Sequence, residues 1–169
     1  MSTTWMRSGL VAAGVALSVL AGAAVAQPVV TYTKSGAKVA DVRDDLKAAI
    51  ESRGFVIDYQ AQIGAMLERT GRDLGAAKKI YDDAQALQFC SAKLSRQLME
   101  ADPTSVVLCP FTLVVWASAD APQQVHVAYR RPMLGRGGGG AQGSPAMRQS
   151  LRELDTLLDS LAREAVGRK

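Results

Sequence analysis

Apolar and polar positions divide the chain into β-rich runs and stretches of helical period. Val29–Thr33 is a β-rich run and predicts a first strand. Val39, Val42, Leu46 and Ile50 then recur at three and four residues, with Asp41, Arg43, Asp44 and Lys47 between them. That spacing predicts an amphipathic helix. Gly54 stands where the helix would stop, and Phe55–Tyr59 reads as a second strand. Ala61–Lys79 is ambiguous. Ile63, Met66 and Leu67 favour a short helix there, whereas Gly64, Gly71 and Gly75 weaken a longer one.

Ala84–Phe89 reads as a short strand, after which Cys90 or Ser91 opens a helix with Leu94, Leu98 and Met99 inward. Asp102-Pro103 ends that helix, because a residue before proline avoids helical geometry. Val106–Ala117 carries the strongest strand pattern, interrupted by Pro110, which suits a strand start or edge. Gln124–Arg130 is the next strand, and Ser118–Gln123 joins the two as a hairpin loop. Pairing Val125, Val127 and Tyr129 with Phe111, Leu113 and Val115 makes one coherent core face. His126 then falls on the outer face beside Val114 and Trp116, and Cys109 on the Phe111 side.

Gly135–Gly143 holds six glycines in nine residues and reads as a flexible linker. Ser144-Pro145 opens a final helix as N-cap and first-turn proline. Its stripe of Leu151, Leu154, Leu158, Leu161 and Ala165 is narrow. A stripe of this kind either folds back on its own sheet or packs against a second copy, and the expectation is a seam between copies. No internal repeat is present.

The N-terminus has a different pattern. One positive charge, Arg7, precedes an apolar or small-residue stretch from Leu10 to Ala26, which ends Ala24-Val25-Ala26. A charged start, apolar middle and small-x-small cut site predict a cleavable secretory signal peptide over Met1–Ala26, leaving a mature chain that begins at Gln27. An uncleaved anchor is the alternative, but the stretch is short and Ala/Gly-rich for a bilayer that needs about 20 apolar residues. No Cys follows it for lipid attachment and no Arg-Arg pair precedes it. The expected location is therefore periplasmic or secreted, with membrane contact only through the signal peptide before cleavage.

Composition then narrows the function classes. The chain has 169 residues, with 20 Lys and Arg against 16 Asp and Glu and a formal net charge of +4, of which Arg7 supplies one. The basic residues are dispersed, and Lys78-Lys79 and Arg130-Arg131 are the only doublets of identical basic residues, so nucleic acid is not an expected partner. Both doublets read as solvated surface.

Cys90 and Cys109 are the only cysteines. In an exported chain they read first as a structural disulfide closing a loop of about 20 residues, worth roughly 3 kcal/mol by chain entropy. Two free buried thiols, or a redox-active or ligand-binding pair, remain open as alternatives. Cys90 would sit at a helix N-terminus, which lowers a thiol pKa, but no Cys-x-x-Cys is present. A metal trio of Cys90, Cys109 and His126 is disfavoured by the register, which puts His126 on the face away from Cys109. His126 is the only histidine and no Gly-x-Ser-x-Gly turn exists, so a serine hydrolase is unsupported. Gly135–Gly140 formally matches Gly-x-Gly-x-x-Gly, but it lies between Pro132 and Pro145, far from a strand-to-helix turn. No cofactor is therefore expected, and no residue is assigned as catalytic or metal-binding.

Four segments, Leu46–Val56 (LKAAIESRGFV), Phe89–Pro103 (FCSAKLSRQLMEADP), Val106–Val115 (VVLCPFTLVV) and Val125–Pro132 (VHVAYRRP), together resemble the bacterial family known as domain of unknown function 302. The resemblance covers roughly Val29 to Pro132, with Ala61–Asp83 divergent. It implies an α+β fold of two layers, with a mixed sheet and helices on one face, and frequent self-association. It implies no activity. The expected organisation is a signal peptide (1–26), an α/β domain (27–133), a Gly-rich linker (134–145) and an amphipathic helix (146–169). The function expected is a non-enzymatic binding or assembly module, with a second copy or another periplasmic protein as partner. Trp116, Leu151, Leu154, Leu158 and Leu161 are its candidate contact residues. The alternative is a thiol-dependent redox or ligand-binding protein centred on Cys90 and Cys109.

Overall fold

A computed structural model describes residues 29–76, 78–132 and 143–168. The leader, and the glycine run apart from Gly143, lie outside the described residues. In chain order the elements are β1 (Val29–Ser35), α1 (Val39–Ser52), β2 (Ile57–Gln62), α2 (Ile63–Asp73), β3 (Tyr81–Phe89) and α3 (Ala92–Ala101). A 3-10 helix (Pro103–Leu108), β4 (Phe111–Ser118), β5 (Gln124–Arg130) and α4 (Pro145–Ala165) follow. Among the described residues no helix is long and apolar enough to cross a membrane.

The strands form one sheet in the order β1-β5-β4-β3-β2. All four ladders are antiparallel, so the α+β class holds but the sheet is not mixed. Helix α1 carries the chain from one edge strand to the other, so β1 and β2 never meet as parallel neighbours. The apolar faces of the hairpin match as expected, but the register is two residues from pairing Val125, Val127 and Tyr129 with Phe111, Leu113 and Val115. Leu113 lies opposite Tyr129 and Val115 opposite Val127, which leaves Phe111 without a β5 partner.

Burial along β4 alternates at every residue, as the period of a strand requires. Phe111, Leu113, Val115 and Ala117 join Leu87, Phe89, Val125, Val127 and Tyr129 on one face. Val42, Leu46 and Ile50 of α1, Leu94 and Leu98 of α3, and the leucines of α4 close over that face. Met99 is only half-buried. The helix ends follow local chemistry. The Ser91 hydroxyl accepts the Leu94 N–H and the Ser144 hydroxyl accepts the Met147 N–H. Gly54, at φ +78°, lets the chain turn out of α1 as few other residues would.

Three further expectations need correction. Val106–Leu108 is 3-10 helix rather than strand, and Val106 and Val107 are exposed. Its β-branched residues are overruled by Asp102, whose carboxylate accepts the Thr104 N–H, and by Pro103 in the first turn. The second strand begins at Ile57, two residues late, because Phe55 still donates its N–H to Ile50 at the end of α1. The terminal helix folds back on its own domain: Leu154, Leu158 and Leu161 are at most 3% exposed and Leu151 is half-buried. At about 1.5–3 kcal/mol for each buried leucine, the stripe closes this chain's own core.

Candidate functional site

The β3–β4 ladder continues to Phe89↔Phe111, and the β1–β5 ladder continues to Val29↔Arg130. Between them, the β4–β5 ladder runs only from Trp116↔His126 to Leu113↔Tyr129. Beyond Leu113 and Tyr129 the two central strands therefore part, and their facing main-chain edges lose ladder partners. Buried main-chain groups need partners from somewhere, so such a gap suits a ligand with polar atoms or ordered water.

A groove of about 620 Å³ occupies this gap. Thr112, Val114, Ala128 and Arg130 line it from the outer face of the sheet, and Phe111 and Tyr129 from the helix-facing side. Leu154 and Leu158 of α4 form its floor, and Val107, Leu108 and Pro110 form one wall. No described Asp or Glu lines it. Volume and lining are those of small-molecule sites, which are concave and mostly apolar with a few placed polar groups.

The Val107–Pro110 wall is held covalently. Cys90 and Cys109 form a disulfide with an S–S distance of 2.10 Å and a Cα–Cα distance of 6.2 Å. Cys90 directly follows Phe89 and Cys109 directly precedes Pro110, so the bridge extends the Phe89↔Phe111 pairing at the mouth of the groove. The loop it closes contains α3 and the 3-10 helix. The Ser95 hydroxyl lies 3.7 Å from the Cys109 sulfur.

The floor is held by a polar network along the edge of α4. Tyr129 donates to Asp155 at 3.0 Å, and Arg131 pairs with the same carboxylate at 3.2 Å. One turn on, Asp159 accepts from Tyr32 and pairs with Arg163 at 2.8 Å, while the Arg163 guanidinium lies over the Tyr32 ring. Burial, and then the bond to Asp155, push the Tyr129 hydroxyl far above its ordinary value, so it stays a neutral donor. Burial alone would raise the Asp159 carboxyl, but the bonds from Tyr32 and Arg163 outweigh it and hold the group below the usual carboxylate value. Attraction to Asp155 raises Arg131, which is thereby committed to the helix. Arg130, its neighbour on the opposite side of the strand, makes no ion pair with any described residue.

The model of the family described as "Domain of unknown function DUF302" matches residues 30–161. The chain belongs to the DUF302 family. That match extends past Pro132, where the resemblance visible in the sequence stops, and takes in most of α4. In the solved structures, this DUF302 chain is similar to an uncharacterised conserved DUF302 protein from Bacillus stearothermophilus. The identity is 14%, the TM-score is 0.63, and the likeness covers 80% of this chain and 97% of that one. The two share a fold. A comparison with curated proteins gave no match.

Within the DUF302 domain the sequence-derived candidates separate. Cys90 and Cys109 meet as a disulfide beside the groove. Leu154 and Leu158 form its floor, whereas Leu161 belongs to the core and Leu151 packs partly buried against it. Trp116 is on the outer face, stacked on His126 at 5.1 Å, and His126 Nδ1 is 2.8 Å from the Thr33 hydroxyl. His126 and the disulfide therefore do not converge on a shared site. Sequence reasoning missed Arg130, Thr112, Ala128, Val107 and the Asp155–Asp159 pair. One signal was readable: Asp155 and Asp159 each directly follow a stripe leucine, at a spacing of four, which marks a polar edge beside the buried face.

Proposed function

We propose that this DUF302 chain is exported and acts as a non-enzymatic binding module, with the groove between the parted ends of β4 and β5 as its site. The observation that carries the reading is that groove: apolar on most sides and bounded by unladdered main-chain edges, with a wall tied by a disulfide and a floor tied by the α4 network. A site on a rigid frame binds without first having to order itself, which favours affinity. Export is supported by the Leu10–Ala26 stretch with its Ala-Val-Ala end, and by a disulfide-bonded arrangement of the only two cysteines.

The test uses a neutral apolar dye, N-phenyl-naphthylamine, on oxidised protein that begins at Gln27. Saturable binding is expected, and Val107→Glu should weaken it, since Val107 is exposed on the wall and tolerates the change without unfolding. Absent binding, or binding indifferent to Val107→Glu, contradicts the groove. Intact mass of the exported protein checks the leader, and retention of Met1–Ala26 would contradict cleavage.

A thiol-dependent redox role is the second reading. It is favoured by Cys90 lying directly before the Ser91 N-cap of α3, where the helix terminus stabilises a thiolate. Equilibration in glutathione buffers separates the two. A structural bridge stays oxidised, whereas a redox pair opens and recloses.

A further inference from the structure

The groove has a charge asymmetry that specifies what it holds. Arg130 and Arg131 are consecutive and point to opposite sides of the strand end, yet both line the groove. Asp155 neutralises Arg131 at 3.2 Å. Arg130 is exposed, carries no pairing to a described residue, and has no acidic residue among its groove neighbours. The site therefore presents one uncompensated positive charge at an otherwise apolar surface. Thr112, which belongs to the strand end facing Arg130 across the gap, adds a hydroxyl.

We infer that the ligand is an amphipathic carboxylate, an apolar chain or ring system ending in one acid group. Its head engages Arg130 at the gap and its body lies over Leu154, Leu158 and Phe111, against the Val107–Leu108 wall. A cation is disfavoured because the lining offers it no acid partner. A neutral alcohol of the same length keeps the apolar contacts but forfeits the charge-assisted bond. A second acid group would find Arg131 already engaged by Asp155. The inference rests on the groove being the binding site, and adds the head-group preference to it.

The experiment compares decanoate with decan-1-ol by displacement of N-phenyl-naphthylamine from oxidised protein, for the wild type and Arg130→Gln. Arg130 is exposed and makes no ion pair with a described residue, so the variant should fold, and an unchanged circular dichroism spectrum and denaturant midpoint verify this. Decanoate should bind at least about tenfold more tightly than decan-1-ol, and Arg130→Gln should remove that preference. An order-of-magnitude loss is the size expected when a charge-assisted hydrogen bond is removed. Equal affinity for acid and alcohol, or a preference that survives Arg130→Gln, overturns the head-group inference while leaving the groove reading in place. Dye that fails to bind overturns the groove reading itself, and the inference with it.

Discussion

Between Leu113 and Trp116, β4 and β5 are fully laddered, and Leu113, Val115 and Val127 are buried beneath the helices. At Thr112 and Arg130 the same two strands have parted, and their side chains line a groove instead of a core. In the middle of the pair every edge is satisfied by its neighbour, so stability is gained there and no surface is left for a ligand. At the end, each strand keeps its outer partner, β3 or β1, and loses its inner one. A gap of that kind would be expected to collapse unless held from outside. Here the disulfide holds the wall and Asp155 and Asp159 hold the floor. The difference teaches that one strand pair can supply core and site together, provided separate anchors fix the site.

The largest expected effect lies on the core side. Leu161→Ala, at a fully buried position away from the groove, should cost about 2–5 kcal/mol in denaturant unfolding. Dye affinity of the protein that remains folded should not change. Loss of binding at a site Leu161 does not line would blur the division between core and groove.

Cys109→Ser comes next, at about 3 kcal/mol for a loop of this length. Unlike Leu161→Ala, it should also weaken dye binding, because it releases the Val107–Pro110 wall. Non-reducing peptide mapping of the wild type should recover the two cysteine peptides linked. Two freely alkylated thiols in protein purified without reductant would contradict the bridge.

Asp159→Asn should cost about 1–2 kcal/mol near neutral pH through the charge-assisted bonds it loses to Tyr32 and Arg163. Its pH dependence is the sharper readout. The native carboxyl titrates below its unfolded value of about 3.9. Its contribution is therefore fully present above that pH and disappears as pH falls through the lower native value. Acid unfolding of the wild type should be steeper than that of Asp159→Asn, and equal slopes would remove Asp159 from the anchor. The smallest stability effect belongs to Arg130→Gln, within about 0.5 kcal/mol of the wild type, as for most surface substitutions.

Much of the core was legible in the sequence because burial has a period. The alternation at Phe111, Leu113 and Val115, and the helical spacing of Val42, Leu46 and Ile50, state which side faces inward. Matching apolar faces placed His126 on the outer face beside Trp116, but it missed the register by two residues, because a shift of two leaves every face unchanged. The groove was not legible. Thr112 and Arg130 continue the alternation of their strands, and nothing in a period of two records where a ladder stops. The 3-10 helix was hidden by Val106 and Val107, whose composition mimics a strand while Asp102 and Pro103 enforce a turn. The docking of α4 on its own sheet was not legible for another reason: a glycine tether permits both outcomes, the narrow leucine stripe pointed to a seam between copies, and only the shape of the sheet's apolar face brings the helix back.

The most direct test of the account is a titration of isotope-labelled, oxidised protein with N-phenyl-naphthylamine, followed amide by amide in two-dimensional spectra. Saturating shifts should concentrate at Val107, Thr112, Ala128 and Arg130, with Thr33, Trp116 and His126 little moved. Shifts centred on the Trp116–His126 face, with the strand ends silent, would contradict the assignment of the groove as the binding site.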